Sequence, residues 1–413
     1  MENQMVMKLG IQKTIFSLAM LVAALNSQFS TAHAQGGGVT WAAPVPGGVS
    51  APWYSVASSA DGTTFYAAGI ELWASTDSGV TWTERNSSRG WAFVNCSADG
   101  TKLVATSGDF TPVYTSTDSG MTFTERASSP TYVTSIASSA DGTKLAVAPQ
   151  DSYDIYTSID SGVNWVDQMG SGPSKIFSSV ASSSDGTKLV AVVHGGWIYT
   201  SPDSGVTWTP RDSPRTWTSV ASSTNGTKLV AVDGAPGQIY TSADSGTNWT
   251  AHDSNRIWQA VASSADGTKL VAAVFNGQIY TSTDSGTNWT AGEINPDFNG
   301  GNTNIYRAWR AVASSADGTK LVAVEFPGFA GGGTNGFIYI SGTLIVPKLN
   351  VINLGGSVGV SWLYPSTGWT LQQNTNLTST GWSPSSGVTN NGHVNYVTNT
   401  PAAKSMFFRL SHP

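Results

Sequence analysis

Cleaving a glycosidic bond takes two carboxylates about 5 Å apart, or about 6.5–9.5 Å apart when a water must fit beside the sugar, or else a tyrosine nucleophile. Three acids in this 413-residue sequence stand where long loops could bring them together. They are Glu293, Asp297 and Glu325, in two Gly- and Asn-rich segments, 292–306 and 325–336, accompanied by Phe298, Phe326 and Phe329. Such loops suit a loose surface as well as a site. A smaller group comprises Asp109, Asp151, Tyr153, Asp154, His194 and Trp197. A third pattern sets a cation two residues before an aromatic: Arg89 and Trp91, Lys175 and Phe177, Arg215 and Trp217, Arg256 and Trp258, Arg307 and Trp309. Aromatic faces stack on sugars, and guanidinium groups grip carboxylates or sulfates in bidentate fashion. These ten residues therefore make a candidate ligand-binding ring for an anionic or glycan ligand. The competing reading is that the rings wedge between structural units while the cation stems cover them. Recurrence at a fixed period favours packing over binding by roughly two to one.

Other chemistry is poorly supplied. The five histidines show no metal-ligand spacing, and no nucleophile elbow, P-loop or dinucleotide fingerprint occurs, so neither a metal nor a cofactor is expected. Cys96 is the only cysteine, which rules out a disulfide within the chain; serines such as Ser58 and Ser263 occupy its equivalent positions. The chain carries 20 basic and 26 acidic residues, net −6. Nucleic acid and anionic membrane surfaces are therefore unsuitable partners.

Repeats must position these residues. The pattern S-x-D-x-G-x-x-(W/F) occurs six times, about forty residues apart, with its acid at Asp77, Asp118, Asp160, Asp203, Asp244 and Asp284. About fifteen residues before each turn stands a variant of V-A-S-S-x-D-G-T-K-L-V-A, in seven copies centred on Asp61, Asp99, Asp141, Asp185, Asn225, Asp266 and Asp317. Twelve of the twenty aspartates thus occupy repeat-fixed turns. One unit reads strand A (217–222), a turn, strand B (228–232), a loop, strand C (238–242), the S-x-D-x-G turn, and strand D (247–251). Four short antiparallel strands per forty residues make one propeller blade. Seven A–B–C sets have only six strands D, and the seventh set ends at Ser341. Gly38-Val39-Thr40-Trp41-Ala42 matches Gly79-Val80-Thr81-Trp82-Thr83, so an N-terminal strand at 38–43 completes the last blade and leaves no open sheet edge.

On these motifs, residues 38–341 resemble the Asp-box (bacterial neuraminidase repeat) propellers. That group includes sialidases, some endoglucanases, sortilin-type receptors and photosystem-assembly factors. The resemblance implies that the six box aspartates are structural. Each turn also offers one carboxylate rather than a cluster, which argues against calcium. Sialidases of the group use an arginine triad and an R-I-P segment before the first blade. Here that stretch is Ala43-Pro44-Val45-Pro46-Gly47, without arginine, and the related endoglucanases use two propellers rather than one. Both departures count against hydrolysis.

Lys8 and Lys13, the apolar stretch 15–25 and Ala32-His33-Ala34 read as a signal peptide, 1–34. Its removal would leave 18 basic and 25 acidic residues, net −7. No later segment has transmembrane length. Past the propeller (35–343), residues 344–413 alternate in short runs and carry G-W-T-L-Q-x-x-x-N-L and F-F-R-L. They resemble small β-sandwich modules of secreted bacterial repeat proteins. The expectation is an all-β chain, a seven-bladed β-propeller closed by an N-terminal strand plus a small C-terminal β-sandwich. It is expected to be secreted and monomeric, and to bind a glycan or extracellular protein through its B–C and D–A loops without catalysis. The alternative is a glycoside hydrolase using the three acids named first.

Overall fold

A computed structural model describes residues 7–10, 39–42, 52–86, 89–107, 111–150, 154–169, 175–294, 307–326, 336–341, 349–353, 357–363, 370–374, 382–390, 394–399 and 405–411. The chain divides into two compact units, one of residues 37–45 and 49–342, the other of 1–36, 46–48 and 343–413.

The larger unit is a β-propeller. Blade one pairs Ser55–Ser58, Phe65–Ala68, Leu72–Ser75 and Thr83–Asn86 in that order, each antiparallel to the next. Blade six repeats the plan with Trp258–Ser263, Leu270–Gly277, Ile279–Ser282 and Thr290–Ala291. The blades join in a ring whose closure can be read from one set of contacts. In each A–B turn a backbone N–H donates to a carbonyl of the following turn: Ala60 to Ala98, then to Ala140, Ser184, Thr224, Ala265, Ala316, and from Ala316 back to Ala60, every link 2.7–2.8 Å. Seven links close the cycle.

In blade seven, Arg307–Ser314, Leu321–Glu325 and Ile338–Ser341 supply three strands, and Thr40–Ala42 pairs antiparallel with Ile338–Ser341 as the fourth. Glu293–Ile294 then pairs parallel with Thr40 and Trp41, giving this blade a fifth strand absent from the sequence expectation.

Outer strands start later than expected. In blade five, Thr250–Arg256 forms strand D rather than 247–251. The Asp244 carboxylate accepts from the Asn248 backbone N–H at 2.9 Å and from its side-chain amide at 2.7 Å, so the turn runs on through Trp249. The residues preceding that aspartate's glycine take positive φ as well: Ser245 and its five equivalents lie at 59–60°, next to glycines at 81–96°.

The core lies between the blades. One cluster joins Val190, Val192 and Ile198 of blade four to Trp217, Val220, Leu229 and Tyr240 of blade five. Hydroxyls stitch the inner strands: Ser178 Oγ donates to the Trp217 carbonyl (2.7 Å) and Thr218 Oγ1 to that of Trp258 (2.9 Å). Lysines of the D-G-T-K turns reach the next blade, as in Lys228 Nζ to Ser285 Oγ at 3.2 Å. Blade one has Thr64 in place of the lysine, and there Tyr66 donates its hydroxyl proton to the Gly100 carbonyl at 2.7 Å. Cys96 is buried, which pushes its thiol up to about 12.

The smaller unit is a sandwich of two sheets. One sheet holds Asn350–Asn353, Val358–Leu363, Val394–Asn399 and Thr389–Asn390; the other holds Ser405–Ser411, Thr370–Asn374 and Ser383–Pro384. Its core (Val360, Trp362, Leu371, Val397, Phe408, Leu410) draws on both sheets. Met7–Gly10, inside the segment read as a leader, runs antiparallel to Ser405–Ser411 in the intact chain.

Candidate functional site

Antiparallel order puts the A–B and C–D turns on one face and the B–C and D–A connections on the other. The ring of cations and aromatics marks the second face. A register shift just after the aromatic, for example between Trp217 and Ser219, lets the ring point sideways between blades while the strand continues. Trp91, Phe177, Trp217, Trp258 and Trp309 are at most 1% exposed. This corrects the expected ring of stacking platforms: the five aromatic side chains offer no face to a ligand in solvent. The bland alternative explains them, because a buried tryptophan removes about 150–250 Å² of surface from water.

Each buried ring meets a strand-C tyrosine or its equivalent edge-on. Centroids lie 5.1 Å apart for Trp217 and Tyr240, 5.4 Å for Trp258 and Tyr280, and 4.9 Å for Trp309 and Tyr339. The cation then lies over the tyrosine. Arg89 stands 4.2 Å from the Tyr114 centroid, Arg215 4.4 Å from Tyr240, Arg256 4.4 Å from Tyr280, Arg307 5.3 Å from Tyr339 and Lys175 5.7 Å from Tyr199. Each blade concerned thus builds a column of indole (or phenyl), phenol and cation from the core outward. Burial raises the tyrosine pKa in Tyr199 and Tyr240. The tyrosines were not singled out from the sequence, although the repeated I-Y-T-S run carried them.

Three columns end in carboxylates. Arg215 Nε lies 3.4 Å from Asp212 Oδ2 and Arg256 Nη1 2.6 Å from Asp253 Oδ2, each acid three residues before its arginine. Asp212 and Asp253 sit at φ 54° and 60°, left-handed positions that aspartate tolerates better than most side chains. Arg307 Nη1 donates to both Glu325 oxygens at 3.0 Å, and Tyr339 donates to Oε1 at 3.3 Å. Among the described residues no ion pair forms at Arg89 or Lys175.

Of the three candidate catalytic acids, Glu325 is the one whose side chain is described. Glu325 ends a strand rather than lying in a loop, and only 5% of it is exposed. Burial raises its pKa, while the Arg307 charge and hydrogen bonds oppose the shift. Its oxygens are taken by Arg307 and Tyr339. Glu293 is likewise in a strand, paired with Thr40. Asp297 lies outside the described residues, as do Phe298, Phe329, Asp109, Asp151 and Tyr153. Asp154 is half-buried, with its pKa raised by that burial and by Asp167.

Exposed apolar side chains do occur on this face. Trp197 is 42% exposed, Ile176 46% and Ile257 44%. Trp197 and Ile176 both belong to blade four, where the His194 N–H donates to the Ile176 carbonyl at 2.9 Å. Gly196, next to Trp197, pairs with Arg215. Ile176 and Ile257 directly follow Lys175 and Arg256. No group of three or more His, Cys, Asp or Glu that could hold a metal occurs among the described residues. No helix among them is long and apolar enough to cross a membrane.

The turn face is self-contained by comparison. Asp77 accepts from Ser75 Oγ (2.8 Å), the Thr81 N–H (2.8 Å) and Thr81 Oγ1 (2.7 Å), and Asp118, Asp160, Asp203, Asp244 and Asp284 repeat the arrangement. Bonds from Thr122 and Ser116 hold the Asp118 carboxyl at about 2, and bonds from Asn248 and Ser242 hold that of Asp244 at about 2.

This arrangement defines the class of protein as a β-propeller. No family model and no curated protein sequence matches the chain. Among solved structures, YCF48 from Cyanidioschyzon merolae is similar at 15% identity and TM-score 0.54, over 73% of this chain and 98% of that one. YCF48 bound to D1 peptide gives 16% and 0.54, over 73% and 97%. A streptogramin B lyase gives 11% and 0.57, also over 73% and 97%. At such identities the likeness concerns the fold.

Proposed function

We propose that this chain is a non-catalytic binding propeller, exported after loss of its leader, which holds a segment of a partner protein on its B–C and D–A face. One observation carries the reading: Trp197, Ile176 and Ile257 are exposed beside Lys175, Arg215 and Arg256, while Trp91, Trp217, Trp258 and Trp309 are buried. An apolar anchor flanked by cations suits a peptide bearing carboxylates and apolar side chains. A similar propeller has been solved with a peptide bound, which supports a protein partner. A glycan is less suited, because among the described residues the strongly exposed aromatics of this face are Trp197 and Phe337, on different blades. The hydrolase reading loses support with the enclosure of Glu325. Export is supported by the leader pattern ending at Ala34.

The test is to probe peptide and glycan arrays with residues 35–413. Acidic, apolar peptides should bind, and Trp197→Ala or Arg256→Ala should abolish the signal. Binding that survives both substitutions would exclude this face. Turnover of an aryl glycoside that vanishes in Glu325→Gln would restore the hydrolase.

A further inference from the structure

Blade seven differs from the others in how its outer strand is held. Elsewhere strand D follows strand C through a hydrogen-bonded S-x-D-x-G turn, so the chain itself delivers it. Thr40–Ala42 arrives from the other end of the unit with no such turn. Among the described residues, Trp41 pairs with Ser341 and Ala42 with Ile340. Ordering a free segment costs backbone entropy at every residue, which so short a pairing offsets poorly.

The insertion that opens at Gly292 makes up the difference. Glu293 and Ile294 pair parallel with Thr40 and Trp41, so the closing strand is bonded along both edges. The Gly292 N–H donates to the Ile279 carbonyl of blade six at 2.7 Å, anchoring the start of the insertion. Gly292 also lies tight on the closing strand. A Cβ there would fall 2.8 Å from Trp41 Nε1 and 2.9 Å from the Val39 carbonyl oxygen. The consequence shows in Trp41 itself. It is 0% exposed, whereas Trp82 is 8% exposed and Trp165, Trp208, Trp249 and Trp289, in the same slot of other blades, are half-buried. Trp82, Trp165, Trp249 and Trp289 donate Nε1 to the glycine carbonyl of their own turn at 2.9–3.1 Å; Trp41 Nε1, like that of Trp208, has no partner among the described residues. Trp41 therefore keeps its place by being covered.

We infer that Gly292-Glu293-Ile294 is a latch that locks ring closure: it ties blade six to the N-terminal strand and shields the one outer strand that the chain does not deliver through a turn. The role is independent of what the loop face binds. It gives Glu293 a position set by strand pairing.

Hydrogen exchange on the full chain tests this. In Ile294→Pro the missing N–H and fixed φ remove the parallel pairing, and exchange at Trp41 and Ala42 should quicken about tenfold or more, while Tyr280 and Thr281 of blade six stay protected. Gly292→Val should do the same and make Trp41 fluorescence accessible to acrylamide. Gly90→Val, where a Cβ meets nothing closer than 3.9 Å, should not. If Ile294→Pro fails to fold, replacing 293–306 by a short Gly-Ser linker provides the same readout. Unchanged protection at residues 40–42 in the folded variants would overturn the latch.

Discussion

On the turn face of the ring, Asp118 or Asp244 spends its oxygens on hydroxyls and N–H groups of its own turn, and the same geometry recurs from blade to blade. On the loop face, Asp212, Asp253 and Glu325 each meet an arginine through a different local path, and blades two and four carry a cation with no ion pair among the described residues. The difference teaches how a duplicated scaffold can take on a specific role. A turn whose polar groups are satisfied internally can be copied without reference to its neighbours. A column of indole, phenol and cation keeps its buried base constant and leaves its outer end free to vary.

The sharpest way to break that comparison is at its base and its tip. Trp258→Ala should cost about 3–5 kcal/mol, because it empties a fully buried site between blades five and six. Trp197→Ala, on the same face but 42% exposed, should change stability by less than about 0.5 kcal/mol. Urea unfolding followed by circular dichroism measures both. Equal losses would mean that the face has no exposed layer separate from the core.

Next in size is the acid response of the turn face. The Asp118, Asp141, Asp185, Asp244 and Asp317 carboxyls are held at about 2 by hydrogen bonds, below the usual 3.8. A depressed folded pKa contributes stability that is present above the unfolded value and is lost as pH falls through the folded one. Stability should therefore be flat above about pH 5 and fall between about 4 and 2. The chain carries its own control. Asn225 accepts the same bonds as its aspartate equivalents, from Ser223 Oγ at 2.9 Å and from the Thr227 N–H at 3.0 Å, with no charge to titrate. Asp185→Asn should accordingly be near neutral at pH 7 and reduce the acid loss, whereas Asp244→Ala should cost about 1–2 kcal/mol at any pH above 5. Thermal melts across pH decide between them. An Asp185→Asn variant with an unaltered acid limb would remove that carboxylate from the account.

How much of this was legible depended on sequence distance. The blade plan was readable because each turn is built from residues within five of one another, so its hydrogen bonds leave a local pattern. Closure was readable because a fragment, Gly38 to Ala42, was missing from one end and present at the other. The burial of Trp217 and Trp258 was not decided by periodicity, since a repeated ring at the channel mouth and a repeated ring between blades have the same period. Their clusters with the preceding blade's Val192, Ile198, Val232 and Ile239 settle which way Trp217 and Trp258 point. The pairing of Glu293 with Thr40 spans some 250 residues and involves an insertion with no repeat equivalent, so no local signal marked it. Tyr240 and Tyr280 left a visible I-Y-T-S signal, but their place over the indole follows from strand pairing.

The smallest effect on stability should come from the outer end of the columns, where the effect on binding should be largest. Arg256 makes a 2.6 Å ion pair with Asp253 and lies over Tyr280, yet 26% of its side chain remains exposed. Partly exposed pairs of this kind contribute about 0.2–1 kcal/mol, and a double-mutant cycle of Arg256→Ala with Asp253→Ala should return a coupling in that range. The two substitutions should diverge in binding. Arg256→Ala removes the cation that would meet a ligand carboxylate. Asp253→Ala removes an internal competitor for it and should tighten binding of an acidic peptide, with a steeper salt dependence because the freed guanidinium is no longer neutralised in place. Titrations of both variants at low and moderate salt compare them directly. If Asp253→Ala weakens binding as much as Arg256→Ala, the pair acts as one rigid unit, and the cation's role is to hold the loop rather than to meet the ligand.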